Sequence, residues 1–275
     1  GTVRYVDANS TNATPPYTNW AIAANVIQDA VDAATAGDQI LVTNGIYATG
    51  GRAVAWGKQT NRVTIATPVT VQSVNGPGET IIQGFKQFGP TAVRCVFLGS
   101  GATLAGFTLT NGATMGGSDI YYNGVGGGVW CDKTAVVSNC VLVGNAASYY
   151  GGGAGFGTLI NCTLTGNWAR ESGGAEAATL IGCTLTGNYA SNSAGAAWGS
   201  TLNNCIVTSN RARLYGGGTD HSTLNNCTLT GNSVTNGYGY GSSYGGGGAY
   251  DSTLNNCSVT GNSVSNGLGG GVYAC

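Results

Sequence analysis

A seven-residue motif, Asn-Cys-Thr-Leu-Thr-Gly-Asn with variants, recurs at nearly constant spacing through the second half of the chain. Its cysteines follow one another at intervals of 22, 21, 22, 22 and 30 residues, at Cys140, Cys162, Cys183, Cys205, Cys227 and Cys257. Glycine runs precede most copies, so each unit is expected to form three short strands separated by bends. One such unit cannot bury its own apolar face, whereas units stacked ~4.8 Å apart can. The repeat therefore predicts a solenoid with coils of about 22 residues.

Within each motif the side chains alternate, as in a strand with one buried face. We expect Leu159, Cys162 and Leu164 to point inward, and Thr163 and Thr165 to point outward. Stacked cysteines would carry parallel side chains ~4.8 Å apart, which suits poorly the ~3.8 Å between the β-carbons of a disulfide. The six motif cysteines are therefore predicted to be buried free thiols. The state of the three cysteines outside the column stays open: Cys95, Cys131 and Cys275.

An asparagine stands directly before most motif cysteines, and Gly182 takes its place once. Both residue types tolerate a left-handed backbone, and stacked asparagines can exchange amide hydrogen bonds. We therefore predict a buried asparagine ladder at this bend. Three of these asparagines belong to glycosylation sequons, and burial in a ladder would prevent their glycosylation. The predicted ladder consists of Asn139, Asn161, Asn204, Asn226 and Asn256.

The first part of the chain is less regular and contains one helical run, Ile27-Gln-Asp-Ala-Val-Asp-Ala-Ala34, before Gly37. A short amphipathic helix at this place would cover the open end of the core, which protects exposed strand edges. We divide a single β-helix domain, residues 1–275, into an N-terminal strand and capping helix (1–37), irregular coils (38–122) and regular coils (123–275). The chain ends within a coil, which predicts end-to-end stacking or a longer parent chain.

The helical run, together with Gly37-Asp38 and Gly45-Ile46-Tyr47, resembles the N-terminal cap of pectin-lyase-like right-handed β-helix proteins. The glycine-rich coils resemble those of secreted and surface repeat proteins of environmental bacteria. The resemblance implies an all-β, right-handed, single-stranded parallel β-helix with three sheets and an N-terminal α-helical cap. It also implies an extracellular location, secreted or on the cell surface. This fold hosts lyases, hydrolases and adhesins, so the resemblance does not specify an activity.

Composition excludes several classes of partner. Only 8% of the residues are charged and the formal net charge is −1, which gives no basic surface for nucleic acid. No run reaches the ~18 apolar residues of a transmembrane helix. The sequence predicts no cofactor and no metal ion.

Acidic and aromatic residues gather in the strand that follows each glycine run. Glu176, Asp220, His221 and Asp251 are the candidate catalytic residues, and Glu176 precedes Asp220 by two coils, hence by about 10 Å. Inverting glycosidases use two carboxyl groups about 6.5–9.5 Å apart. The candidate carbohydrate contacts are Trp130, Trp198, Tyr250, Tyr238, Tyr240 and Tyr244, the last three in an insertion spanning 233–248.

Three functions remain open at this stage. The sequence favours a non-catalytic structural or adhesive extracellular module with a carbohydrate-binding face, because the catalytic Arg/Lys pair of the lyases and the three-aspartate cluster of the polygalacturonases are missing. The alternative is a polysaccharide lyase or glycoside hydrolase that acts in the same groove. The third is ice binding by the outward Thr-x-Thr face, which is interrupted at Val141, Val143 and Ile206. The expected partner is a polysaccharide or other cell-surface material.

Overall fold

The computed structural model describes residues 1–54, 57–117, 119–235, 245–265 and 267–275. The chain is an all-β, right-handed parallel β-helix with an N-terminal helical cap, as the repeat and the resemblance predict. Three sheets run along the solenoid, and a fourth, short sheet lies in the regular coils. This fourth sheet was not anticipated, because its two-residue strands are too short to show a periodic pattern.

We name the sheets by letter. Sheet A contains Val3–Val6, Gln39–Val42, Thr70–Ser73, Thr103–Ala105, Val136–Ser138, Thr158–Ile160, Thr179–Ile181, Thr201–Asn203, Thr223–Asn225 and Thr253–Asn255. Sheet B contains Gly45–Tyr47, Thr80–Gln83, Thr108–Thr110, Val141–Val143, Thr163–Thr165, Thr184–Thr186, Ile206–Thr208, Thr228–Thr230 and Ser258–Thr260.

In the regular coils the strands of sheet C follow the glycine runs, and the first strand of this sheet is antiparallel to the second. It contains Arg52–Ala53, Thr60–Ile65, Val93–Leu98, Val129–Cys131, Ala154–Gly155, Ala175–Glu176, Ala197–Trp198, Thr219–Asp220, Ala249–Tyr250 and Val272–Tyr273. Sheet D contains Trp168–Ala169, Tyr189–Ala190, Arg211–Ala212, Ser233–Val234 and Ser263–Val264.

The described helices are a 3-10 turn, Trp20–Ile22, and two α-helices, Ile27–Asp32 and Ile120–Asn123. The capping helix Ile27–Asp32 ends two residues before the predicted end, where Thr35 donates its backbone N–H to the Asp38 carboxylate in a turn. Gln28 accepts from the backbone N–H of Thr64 at 2.7 Å and donates to its carbonyl oxygen at 3.0 Å. The helix thus satisfies the edge of sheet C as a neighbouring strand would. No helix among the described residues has the length and apolar character needed to cross a membrane.

The predicted alternation of the motif is confirmed. Leu159, Cys162 and Leu164 are at most 2% exposed and belong to one apolar core that extends from Val6 to Ala249. The outward threonines of sheet B align in register from coil to coil, with interruptions at the predicted positions. Ice binding by this face stays a prediction.

The cysteine column is also as predicted in its main features. All nine cysteines are free thiols, and five of the six motif cysteines are buried, whereas Cys257 is half-buried in the last coil. Cys162, for example, donates its thiol proton toward the carbonyl oxygen of Ile160, with the sulfur at 3.4 Å. Outside the column, Cys95 and Cys131 are buried and Cys275 is exposed.

The asparagine ladder exists, but the prediction placed it at the wrong end of the motif. The residues predicted to form it have the expected positive φ, between 51° and 54°, yet they are exposed, because they flank an inward cysteine and therefore point outward. The ladder follows the motif glycine position and consists of the buried residues Asn145, Asn167, Asn188, Asn210 and Asn232 and the half-buried Asn262.

Each ladder asparagine before Asn262 connects three successive coils. The amide of Asn210 donates to the Asn232 side-chain oxygen in the next coil at 3.0 Å and to the Leu185 carbonyl oxygen in the preceding coil at 2.9 Å. Its own side-chain oxygen accepts from the backbone and amide of Asn188. The sequence predicted that Asn204 is buried, whereas the buried residue is Asn210. The asparagines of the glycosylation sequons are exposed, so the argument that burial protects them from glycosylation was wrong.

Candidate functional site

The site is built on one outward-facing row of sheet C. In each two-residue strand the first residue points into the core and the second points outward, so the rows are set by register alone. The outward row runs Gly155, Glu176, Trp198, Asp220 and Tyr250 along neighbouring strands. Neighbouring strands lie ~4.8 Å apart, which places Glu176 and Asp220 about 10 Å apart on either side of Trp198.

A cleft of about 460 Å³ lies over this row. The residues just before the glycine runs form one wall: Val125, Tyr150, Glu171, Ser193 and Tyr215. Phe156 and His221, in the bends after the strands, line the other side. The equivalent bends between them hold only Ala177 and Gly199, so small residues leave room above Glu176 and Trp198.

The glycine runs allow the backbone of each coil to lie very close to neighbouring backbone beneath the cleft. A β-carbon on Gly152 would lie 2.3 Å from the carbonyl oxygen of Trp168 in sheet D. A β-carbon on Gly216, whose φ is 53°, would lie 2.3 Å from the carbonyl oxygen of Thr219. Larger residues cannot occupy these positions without moving backbone, so the runs hold the strands of sheet C and sheet D close together.

Glu176 is a buried carboxyl group on the cleft floor, 6% exposed. Ser172 donates a hydrogen bond to its Oε2 at 2.5 Å. Burial raises the pKa of Glu176 to about 8, and the charges of Glu171 and Asp220 act in the same direction. Glu176 is therefore protonated at neutral pH and is able to donate a proton into the cleft.

Asp220 is equally buried, at 3% exposure, but has a different partner. Its Oδ1 lies 2.5 Å from Nδ1 of His221, and Nε2 of His221 lies 3.0 Å from Oδ2 of the exposed Asp251. Burial raises the pKa of Asp220, while the hydrogen bond and charge of His221 oppose that rise. The two carboxyl groups on the cleft floor thus have different environments: burial keeps Glu176 protonated, whereas Asp220 lies beside the imidazole of His221.

Glu171 was not predicted, yet it belongs to the cleft wall. Its Oε2 accepts hydrogen bonds from Oγ of Ser193 at 2.7 Å and from the backbone N–H of the same residue at 3.2 Å. Its Oε1 accepts from the side-chain amide of Asn192. These donors fix the carboxylate in place on the wall, half-exposed to the cleft.

Aromatic rings complete the lining. The Trp198 ring lies 5.7 Å from the His221 ring between their centroids, and the Tyr250 ring lies 5.0 Å from that of Tyr215. Tyr250 also stacks on Tyr273 at 5.6 Å. Flat apolar faces beside carboxylates suit the alternating apolar and hydroxylated surfaces of a sugar ring.

The structure brings together Glu176, Trp198, Asp220, His221 and Tyr250, and it places Asp251 on the far side of His221. Trp130 continues the same outward row next to Gly155 but does not line the cleft: it is 9% exposed, in an apolar cluster where its ring stacks on Phe97 at 5.0 Å. The predicted contacts Tyr238, Tyr240 and Tyr244 lie outside the described residues.

Sequence reasoning missed the wall of the cleft: Tyr150, Phe156, Glu171, Ser193 and Tyr215. These residues occupy the bends before and after the sheet C strands, whereas the acidic and aromatic pattern visible in the sequence lies in the strands themselves. Aligning the coils on their glycine runs would have revealed one such column, since Tyr150, Glu171, Ser193 and Tyr215 all stand two residues before a Gly-Gly pair or its equivalent. Across the described ranges, no group of three or more His, Cys, Asp or Glu side chains has an arrangement able to hold a metal ion.

No protein-family model matches the chain, and no curated protein matches it. Among solved structures, the chain is similar to pectate lyase Pel9A, with 14% identity, a TM-score of 0.54, and coverage of 99% of this chain and 81% of that one. It is also similar to pectin methylesterase from carrot, with 13% identity, a TM-score of 0.51, and coverage of 98% of this chain and 87% of that one. At these identities the likeness concerns architecture alone, and it shows that this chain has a parallel β-helix fold.

Proposed function

We propose that the chain is a glycoside hydrolase that cleaves a polysaccharide in the sheet C cleft with inversion at the anomeric carbon. The observation that carries this proposal is the pair of buried carboxyl groups, Glu176 and Asp220, on either side of Trp198. A chain with few charges and a purely structural role has no reason to desolvate two carboxyl groups at the floor of an open cleft. The pair therefore favours the enzymatic alternative over the non-catalytic module.

The proposal gives each of the two carboxyl groups its own role. Glu176, protonated, donates its proton to the glycosidic oxygen as the bond from that oxygen to the anomeric carbon breaks. Asp220 accepts a proton from a water molecule whose oxygen attacks the anomeric carbon from the opposite face. The sum of these steps is the addition of one water across one glycosidic bond.

The neighbouring groups position this pair. His221 bridges Asp220 and Asp251, which orients the Asp220 carboxylate toward the cleft. Trp198 lies between the two carboxyl groups in the row and offers its ring to the sugar that spans them. A polymeric substrate would meet this enzyme outside the cell, so the predicted extracellular location belongs to the same proposal.

The test is a cleavage assay on a panel of neutral, amino and uronic polysaccharides, with new reducing ends measured and the anomer of the first product read by NMR. We expect reducing ends with an inverted anomer from the wild type, and losses of at least about a hundredfold in Glu176→Gln and Asp220→Asn. Glu79→Gln, which alters an exposed carboxylate outside the cleft, is the matched control and should keep full activity.

Two results would contradict the proposal. Products that carry a new carbon–carbon double bond would assign the cleft to a lyase, because elimination leaves unsaturation and hydrolysis does not. Glycan binding without cleavage, with an affinity unchanged by Glu176→Gln, would instead support the hypothesis of a non-catalytic binding module.

A further inference from the structure

The cleft has a marked sign of charge. Its described lining contains the acidic side chains Glu171 and Asp220, the protonated carboxyl group of Glu176 and the imidazole of His221, and no lysine or arginine. Asp251 adds a further carboxylate behind His221. A cleft lined by one sign of charge concentrates ligands of the opposite sign and repels ligands of the same sign.

The proposed reaction gives a role to some of these acidic groups but not to Glu171. Glu176 and Asp220 have catalytic roles, and Asp251 pairs with His221. Glu171 has no catalytic role in the proposal, and among the described residues its carboxylate contacts an amide, a hydroxyl and a backbone N–H, all uncharged. These donors aim a carboxylate along the wall toward the cleft without neutralising it.

The surroundings of Glu171 suit an ammonium group. Tyr150 pairs with Glu171 through a backbone bridge in the preceding coil, and its ring lines the same wall. A carboxylate next to an aromatic ring offers a cation both an ion pair and a ring face. A neutral hydroxyl would gain only a hydrogen bond there, and a uronate carboxylate would be repelled.

We propose that the cleft binds a polysaccharide of amino sugars, a polyglucosamine type of chain, whose protonated amine pairs with Glu171 beside Tyr150. This inference deepens the proposed hydrolase by naming its substrate class. It separates this chain from the pectin-directed functions in the names of the similar structures.

The test is calorimetric binding of three oligosaccharides of equal length: a glucosamine oligomer, its N-acetylated counterpart and a galacturonate oligomer. Glu176→Gln serves as the background, because it prevents turnover and keeps that position uncharged. We expect the glucosamine oligomer to bind at least about tenfold more tightly than the acetylated one, with no measurable binding of galacturonate. Added salt should weaken the binding of the glucosamine oligomer most.

Adding Glu171→Gln to this background should lower affinity for the glucosamine oligomer about tenfold and leave affinity for the acetylated oligomer unchanged. Glu79→Gln in the same background is the control and should change neither affinity. Equal binding of the amino and acetylated oligomers, tighter binding of galacturonate, or no effect of Glu171→Gln would each overturn the inference.

The failure of this inference differs from the failure of the proposed hydrolase. Cleavage of neutral glycans by the wild type without preference for amines would overturn the inference and leave the hydrolase standing. A preference for amines without cleavage would do the opposite.

Discussion

Oγ of Ser172 donates a 2.5 Å hydrogen bond to Oε2 of Glu176, four residues further along the chain, and both side chains are buried. This bond lowers the pKa of Glu176, but burial outweighs it and the pKa stands at about 8. Folding therefore takes up a proton at this position whenever the pH lies between the ordinary value of 4.5 and about 8.

The first prediction concerns stability against pH. Because the folded state holds more protons on Glu176 than the unfolded state in this window, the free energy of unfolding should fall as pH rises, by at most about 1.4 kcal/mol per pH unit. Glu176→Gln should flatten this slope, and Glu79→Gln should keep it. Chemical denaturation at several pH values between 4.5 and 8 measures the slopes. Parallel slopes for wild type and Glu176→Gln would show that Glu176 is not held protonated.

The second prediction concerns the pH dependence of activity. We expect a bell-shaped profile of kcat/KM on a cleaved glycan. Activity should fall above about pH 8 as Glu176 loses the proton it must donate. It should also fall on the acidic side as Asp220, whose pKa is raised by burial, becomes protonated and cannot act as a base. Replacing Asp251 with Asn should shift the acidic limb alone, because Asp251 reaches Asp220 through His221.

The third prediction separates two tryptophans of the same outward row. Trp198→Ala removes a ring that lines the cleft, and it should weaken glycan binding with little change in Tm. Trp130→Ala removes a buried ring from the cluster with Phe97, and it should cost about 3–5 kcal/mol of stability. Calorimetric binding and thermal unfolding on both variants give the comparison. A similar loss of stability in both would argue against an open binding face at Trp198.

The fourth prediction concerns the ladder. Asn210→Ala removes the side-chain oxygen that accepts from the backbone N–H and the amide of Asn188, and the amide that donates to the Leu185 carbonyl oxygen; it should cost about 1–3 kcal/mol for each group left unsatisfied. Asn204→Gly keeps the left-handed bend, removes an exposed side chain, and should cost less than about 1 kcal/mol. Denaturant unfolding of the two variants measures the difference. The reverse order would mean that the ladder does not stabilise the coils.

The fifth prediction concerns the thiols. Alkylation of the folded chain should label Cys275 and should spare the buried cysteines, because the packed core keeps the reagent away from their sulfur atoms. Unfolding should expose all nine to labelling. Mass spectrometry after digestion identifies the labelled positions, and rapid labelling of Cys162 or Cys183 before unfolding would contradict the buried column.

The sequence by itself determined the solenoid, its coil length, the inward cysteine and leucine columns and the capping helix near Ile27. These follow from period and alternation, which depend on local spacing alone. Register also follows from the repeat, so the sequence correctly placed Glu176 two coils before Asp220.

Only the tertiary structure decided which polar side chains are buried. Asn161 and Asn167 both stand at bends of one motif, but only Asn167 is buried. The direction of each side chain depends on how the coil closes, which the motif alone does not specify. The cleft arose in the same way. Its wall consists of bends from neighbouring coils, so the contact of Glu171 with Ser193 exists only when the coils are stacked. The desolvation of a carboxyl group likewise depends on everything that surrounds it in space and not on its neighbours in sequence.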